Sequence, residues 1–179
     1  MGRALRGIIY TLERLSLAGG AIAAAFLVAI AVIMLAEIFM RSLVGVPLSF
    51  SWEYSAYCMA TVFFLGAAYT LRAGGHVRVT LLHEVLPGAL SRGVELIASL
   101  IGLAISIYAA SAVAGLALSS LERGTTSFTP TATPLFIPQG LIAIGLILLA
   151  GQFLARLLRF ALGEPLDPGA DTGVATRDQ

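Results

Sequence analysis

Four long runs without Asp, Glu, Lys or Arg constrain this chain more than any other feature. They cover residues 15–36, 54–71, 96–121 and 124–155, and the last run begins with a polar stretch rich in threonine and proline that we assign to a loop. An α-helix rises about 1.5 Å per residue, so about 20 apolar residues cross the roughly 30 Å hydrocarbon core of a bilayer. The sequence therefore predicts an all-α membrane protein with four transmembrane helices, at about 15–36, 54–71, 96–121 and 136–158.

The composition agrees with a membrane protein. Hydrophobic residues make up 58% of the 179 residues and charged residues only 12%, whereas charge is about a quarter of an ordinary soluble domain. The formal net charge of +1 provides no basic surface for phosphates, which excludes a nucleic-acid partner. We expect one transmembrane domain over residues 1–162 and a disordered tail over 163–179, where prolines, glycines and acids accumulate.

The distribution of arginines predicts the topology. All eleven cations are arginines, and only Arg41 and Arg123 lie in the first and third connections between spans. The other nine lie in the N-terminal segment, the second connection and the C-terminal region. Because arginine is enriched on the cytoplasmic side of a membrane, both termini and the second connection of this multi-pass protein are predicted to be cytoplasmic.

Two short amphipathic segments are predicted to lie at the membrane surface. One precedes residue 15, where apolar residues alternate with arginines, and it runs straight into the first span. The other lies between the second and third spans and ends at the helix-breaking pair Pro87 and Gly88.

Polar residues gather where the first span ends and the second begins. Glu37 and Arg41 are four residues apart, in the favoured order for an ion pair on one helix face. Ser51 is predicted to be the N-cap of the second span, and Glu53 just inside it faces the positive end of the helix dipole. We expect Glu53 to compete with Glu37 for Arg41, and Trp52 to join the aromatic belt at the membrane interface.

Small residues at spacings of four predict close helix contacts in the bilayer. One ladder, formed by Gly66, Thr70 and Gly74, runs toward the end of the second span. The longest stripe lies in the third span, and we expect it to form a tight seam with another helix. Its members are Ala98, Gly102, Ser106, Ala110 and Ala114.

The second span ends in a basic segment that contains Arg72, His76 and Arg78. His76 and His83 are seven residues apart, but two histidines without a third ligand do not make a zinc site. We therefore expect no metal, no cofactor and no catalytic residue in this chain. The segment is interpreted as an anchor at the membrane surface or a contact with a partner.

Five motifs, in this order and spacing, resemble the DctQ-like small membrane subunit of tripartite ATP-independent periplasmic (TRAP) transporters. They are the arginine after the first span, a Ser-Trp-Glu triplet, a Phe-Leu-Gly-Ala centre, an Arg-x-Gly-Gly-His-Val-Arg-Val segment and an Ile-Pro helix start. The motifs lie at Arg41, 51–53, 64–67, 72–79 and 137–138. The resemblance extends from about residue 12 to residue 158.

The resemblance implies a heteromeric transporter of three parts, in contact with the lipids of a bacterial inner membrane. A periplasmic solute-binding protein would deliver an organic acid, and a large membrane subunit would move it with the sodium gradient. This small subunit would brace the large one and bind neither ion nor substrate. The residues that we expect to act as anchors or partner contacts are Glu37, Arg41, Trp52, Glu53, Gly66, Arg72, His76 and Arg78.

Two other functions remain open at this point. A self-contained, proton-coupled transporter would use Glu37 as its proton site, since ionisable groups at membrane depth are often functional. A redox subunit that holds haem or quinone would need facing histidines inside its spans, and both histidines lie outside them.

Overall fold

Four long helices form the described part of the chain, which in this computed structural model comprises residues 2–74 and 88–164. The helices are α1 (Gly2–Phe39), α2 (Ser51–Arg72), α3 (Gly88–Arg123) and α4 (Phe136–Leu162). Each contains a segment long and apolar enough to cross a membrane. The prediction of an all-α protein with four potential spans is confirmed.

The first helix is longer than the predicted span. It has 38 residues, which correspond to roughly 57 Å, and it continues into a π-helical turn at Met40–Val44. The amphipathic N-terminal segment is therefore the first part of α1 and runs directly into the span, as expected. The surface helix predicted between spans two and three falls mostly at residues 75–87, outside the described residues, as does nearly all of the predicted disordered tail.

Helix boundaries follow local chemistry, with one correction. A glycine with φ between 61° and 72° follows each of these helical segments. Glycine has no Cβ atom, so it adopts the left-handed conformation that ends a helix without a steric penalty. These residues are Gly45, Gly74, Gly124 and Gly163. The predicted N-cap of α2 is wrong: Phe50 occupies that position, and Ser51 already lies in the helix, whose first hydrogen bond runs from the Tyr54 N–H to the Phe50 carbonyl at 3.0 Å.

Helices α2 and α4 form the centre of the packing. Helix α4 contacts α1, α2 and α3, whereas α3 packs against α4 alone among the four described helices. The start of α1 lies beside the end of α2, where Gly20 meets Tyr69, and beside the end of α4, where Glu13 meets Arg159. Both α2 and α4 are therefore antiparallel to α1 and run parallel to each other. We call the end with connections 45–50 and 124–135 the loop end, and the end with residues 2 and 164 the terminal end.

Glycines permit the closest approaches between the helices. A Cβ atom on Gly145 of α4 would lie 2.6 Å from the Phe64 carbonyl carbon of α2, and one on Gly20 of α1 would lie 2.7 Å from the ring of Tyr69. Gly66, by contrast, has only the Ala23 methyl at 3.9 Å from its built Cβ position. Gly66 therefore lies in the α1–α2 seam, at a distance that an alanine would also tolerate.

The small-residue stripe of α3 forms a seam with α4 over part of its length. Ser106 and Ala110 are buried, and a Cβ atom on Gly102 would lie 2.4 Å from the Phe153 ring. At the start of the stripe, Ala98 is exposed and Ser99 is buried instead. A spacing of four residues turns roughly 40° beyond one helical revolution at each step, so the buried face drifts away from a strict four-residue ladder.

Candidate functional site

At the loop end, Glu37 joins the last turn of α1 to the connection that follows. Its Oε1 accepts hydrogen bonds from the Arg41 guanidinium at 2.5 and 3.0 Å, and its Oε2 accepts the Leu48 N–H at 2.6 Å. The predicted ion pair between Glu37 and Arg41 is confirmed. Glu37 is largely shielded whereas the Arg41 side chain is 68% exposed, so the acid caps the connection and the arginine faces outward.

Glu53 forms a second polar cluster at the loop end, with the connection between α3 and α4. The carboxylate is buried, and it accepts hydrogen bonds from the hydroxyls of Thr129 and Thr131, which are two residues apart. Tyr57, one helical turn along α2, donates to the other carboxylate oxygen at 2.8 Å. We call Glu53, Tyr57, Thr129 and Thr131 the loop latch, because these bonds tie the α3–α4 connection to the start of α2.

The latch corrects the prediction that Glu53 competes with Glu37 for Arg41. Every described hydrogen bond of Glu53 comes from a hydroxyl group, and Arg41 pairs with Glu37 alone. The threonine donors lie 76 and 78 residues along the chain, so no local pattern could reveal them. The run of threonines in the third connection is the only local signal for these donors, and by itself it predicts a polar loop.

The latched connection has an ordered backbone and an exposed tip. Ser127 N–H donates to the Thr133 carbonyl at 2.9 Å, and Leu135 N–H donates to the Thr125 carbonyl at 3.0 Å. Phe128 projects from this turn fully exposed, and Trp52 on the adjacent helix is 83% exposed. Both aromatic rings thus extend outward from the loop end, where a membrane interface or a partner protein can contact them.

Ion pairs at the terminal end join α4 to the other helices. Arg159 donates to Glu13 of α1, with side-chain exposures of only 12% and 17%. Arg156 lies 3.5 Å from Glu95 of α3, and this pair is equally shielded. Shielded ion pairs of this kind fix the orientation of α4 relative to α1 and α3, because separating either pair leaves a charge in a poorly solvated place.

Two further polar contacts reinforce the terminal end. The Gln152 side chain of α4 donates to the Leu12 carbonyl of α1 at 2.8 Å. Arg6 pairs with Glu164 at 3.0 Å, although its side chain is 71% exposed. The sequence predicts neither of these contacts, because the partners are 140 and 158 residues apart in the chain.

The remaining predicted site residues lie at or beyond the end of α2. Arg72 is half-buried at its last turn, and its Nε has no hydrogen-bond partner within the described residues. His76 and Arg78, together with His83, fall outside the described part of the chain. No group of three or more potential His, Cys, Asp or Glu metal ligands occurs among the described residues.

The family assignment comes from a comparison of the sequence with protein-family models. The model of "Tripartite ATP-independent periplasmic transporters, DctQ component" matches residues 30–163, which are 134 of the 179 residues. The chain belongs to the DctQ family. No curated protein and no solved structure matches the sequence significantly.

Membership of the DctQ family makes this chain the small component of a TRAP transporter. The four apolar helices agree with a multi-pass membrane protein. In this DctQ-family chain the two clusters at the loop end lie within the matched residues, as do Arg72, Glu95, Arg156 and Arg159. Glu13 and Leu12, which complete the terminal contacts, precede the match.

Proposed function

We propose that this chain is the scaffold subunit of a sodium-coupled, binding-protein-dependent TRAP transporter that imports organic acids, and that it braces the large transport subunit in the bilayer. The observation that carries this proposal is the uncharged centre of the described helices. Every Asp, Glu and Arg in them lies near the loop end or the terminal end, and none lies in residues 17–35, 54–71, 96–121 or 138–155.

An uncharged centre is poorly suited to ion-coupled transport. Secondary transporters place their sites near the bilayer midplane, in broken helices with polar groups. Here the helices continue unbroken through the middle, and central hydroxyls bond to their own backbone: Thr61 Oγ1 donates to the Tyr57 carbonyl at 2.9 Å, and Ser106 Oγ donates to the Gly102 carbonyl at 2.7 Å. We therefore assign substrate and sodium to the large subunit.

The two ends of the bundle support a bracing role. The loop latch fastens the third connection to α2, and the pairs of Arg159 with Glu13 and Arg156 with Glu95 fasten α4 to α1 and α3. A helix group that is fastened at both membrane faces resists shear between its helices. Such a body can hold the static part of a partner while another part of that partner moves.

The outer faces of α1 and α3 are the surfaces that we assign to the large subunit and to lipid. On α1, Val28 and Val32 are 63% and 60% exposed, and on α3, Ile105 and Tyr108 are 62% and 76% exposed. A photo-activatable crosslinking residue in place of Val32 on α1 or of Ile105 on α3 should form a crosslink to the large subunit from at least one of these two positions. Capture from neither face in an active complex would contradict the scaffold arrangement.

The direct test uses a strain that carries the large subunit and the solute-binding protein. The affinity-tagged chain should co-purify with the large subunit, and deletion of the chain should abolish organic-acid uptake while the large subunit remains in the membrane. Restoration of uptake by a plasmid copy is the control. Full uptake without the chain would overturn the proposal.

The proposed orientation places the terminal end in the cytoplasm. The arginine-rich terminal segments support it through the positive-inside rule. A phosphatase reporter that folds only in the periplasm should be active when inserted in connection 124–135 and inactive when fused after residue 179. The opposite pattern would reverse the orientation and leave the scaffold role intact.

The alternative of a self-contained proton-coupled transporter is disfavoured by the surroundings of Glu37. Both of its carboxylate oxygens are engaged, by Arg41 and by the Leu48 N–H, so it serves as a cap at the end of α1. Purified chain in liposomes should move no organic acid in a proton gradient. Uptake by the chain alone, lost in Glu37→Gln, would restore this alternative.

A further inference from the structure

Two hydrogen-bond donors near the α1–α2 seam lack an acceptor. The Ser16 hydroxyl is fully buried, and the Nε of Arg72 is also buried, yet neither has a hydrogen-bond partner within the described residues. The usual acceptor for a helical serine is the carbonyl four residues earlier, and the Leu12 carbonyl already accepts from Gln152. Buried polar groups normally find a partner, so a missing acceptor is indicated here.

The helix register places these two donors at the same level. A Cβ atom on Gly20 would contact Tyr69, and Gly66 faces Ala23, which fixes α1 and α2 as antiparallel neighbours. Ser16 lies one turn from Gly20 toward the terminal end, and Arg72 lies one turn from Tyr69 in the same direction. Residues one turn apart share a helix face, so both side chains extend toward the same part of the seam.

Arg72 is on the inner face of α2, and no ion pair joins it to an acid within the described residues. It follows the buried residues Leu65 and Ala68 by seven and four positions, and its side chain remains half-buried. The described acids of the terminal end are already engaged. Glu13 pairs with Arg159, Glu95 with Arg156, and Glu164 with Arg6.

Among the described side chains, the terminal end carries an excess of positive charge. Six arginines with described side chains face three acids there, which leaves three uncompensated positive charges. These arginines are Arg3, Arg6, Arg14, Arg72, Arg156 and Arg159. An anion is therefore favoured in this region, and the buried Nε of Arg72, which has no hydrogen-bond partner within the described residues, is a donor available to it.

We infer that Arg72 binds the phosphate of a phospholipid headgroup at the α1–α2 seam. The guanidinium offers parallel N–H donors that match the oxygens of a phosphate. Arg72 is the last residue of α2, at the edge of the bilayer, where headgroup phosphates are concentrated and basic pockets between helices bind them. The acyl chains would lie along the exposed apolar surface of α1. This inference goes beyond the scaffold role and does not depend on it.

The experiment measures binding of phosphatidylglycerol to the delipidated full chain in a zwitterionic detergent, by native mass spectrometry. The wild-type chain should take up one lipid before any weaker adducts, and Arg72→Gln should weaken this uptake at least tenfold. Arg72→Lys keeps the charge without the paired donors and should give an intermediate affinity. If circular dichroism shows that Arg72→Gln does not fold, the comparison of Arg72→Lys with the wild-type chain still tests the inference.

Arg14→Gln is the matched control at the same end of the bundle. Arg14 is exposed, donates to the Tyr10 hydroxyl at 2.8 Å and lies 5.0 Å from the centre of that ring, so lipid affinity should stay within twofold of wild type. Equal losses for Arg14→Gln and Arg72→Gln would mean general charge attraction and would overturn the inference.

Two further ligands identify the chemistry and source of the bound group. Dioleoylglycerol, which has the acyl chains without the phosphate, should bind at least tenfold more weakly than phosphatidylglycerol. Equal binding would overturn the role of the phosphate. Inorganic phosphate should fail to displace the lipid at a hundredfold excess, and displacement at equal concentration would assign the site to free phosphate and overturn the lipid assignment.

Discussion

Replacement of Gly145 by alanine tests the helix packing most directly. The added Cβ atom would lie 2.6 Å from the carbonyl carbon of Phe64 and 2.8 Å from the Leu65 nitrogen, whereas ordinary contacts begin at 3.4 Å. The shortfall of about 0.8 Å must come from separation of α2 and α4, because backbone atoms cannot rotate away.

The magnitude follows from two opposing contributions. Overpacking of a well-packed contact costs about 1–3 kcal/mol, and an alanine in place of glycine gains at most about 1 kcal/mol of helix propensity. Gly145→Ala should therefore lower the free energy of unfolding by about 1–2 kcal/mol. Gly140 lies on the same helix with nothing within 4 Å of its Cβ position, so Gly140→Ala should be neutral or slightly stabilising.

A third substitution separates backbone clashes from side-chain clashes. A Cβ atom on Gly102 would lie 2.4 Å from the end of the Phe153 ring, and a ring can move or be shortened. Gly102→Ala should thus be rescued by Phe153→Leu, whereas Gly145→Ala should not be rescued by Phe64→Leu.

The assay is reversible unfolding of the full chain in mixed micelles, followed by circular dichroism over a titration with dodecyl sulfate. The expected order of stability is Gly140→Ala above Gly102→Ala above Gly145→Ala. If Gly145→Ala were as stable as Gly140→Ala, the close approach of α2 and α4 would be refuted.

Three further predictions concern the ends of the bundle. Glu53→Gln should loosen the loop latch and increase the rate of proteolysis within 125–134 several-fold, with the remaining helices protected; an unchanged rate would remove Glu53 from the latch. Gln152→Leu should cost about 1 kcal/mol of unfolding free energy, because its hydrogen bond to α1 is lost; a stability gain would contradict that bond. Glu13→Gln should cost about 3 kcal/mol, as expected for a shielded pair, against less than about 1 kcal/mol for Glu164→Gln in the exposed pair. Similar costs in the same unfolding titration would argue against shielding of the Glu13 pair.

The spans were predictable because a bilayer imposes a simple length and charge rule. Their ends were less predictable, because arginines and acids at the membrane edge remain within a helix. Helix α3 begins at Gly88, eight residues before the predicted span, and includes Glu95, whose charge is paired with Arg156. A rule that stops a span at the first charge therefore shortens such helices.

The candidate site was predictable only where the partners are close in sequence. Glu37 and Arg41 are four residues apart, and their pairing follows from helix geometry alone. Glu53 finds its donors in another connection, and Glu13 finds Arg159 on the last helix. Contacts of this kind depend on which helices become neighbours, and nothing in the local pattern of one sequence states that arrangement.

The position of α4 has a consequence for how the protein is assembled. Since α3 touches only α4 among the described helices, and α4 also fills the space beside α1 and α2, the last of the four described helices to be synthesised completes their packing. Until it is inserted, Gly19 lacks its Leu148 neighbour, Leu12 lacks the Gln152 amide and Glu13 lacks its arginine. A chain that stopped before residue 136 would therefore leave α3 without its packing partner and expose the surfaces of α1 and α2 that α4 covers.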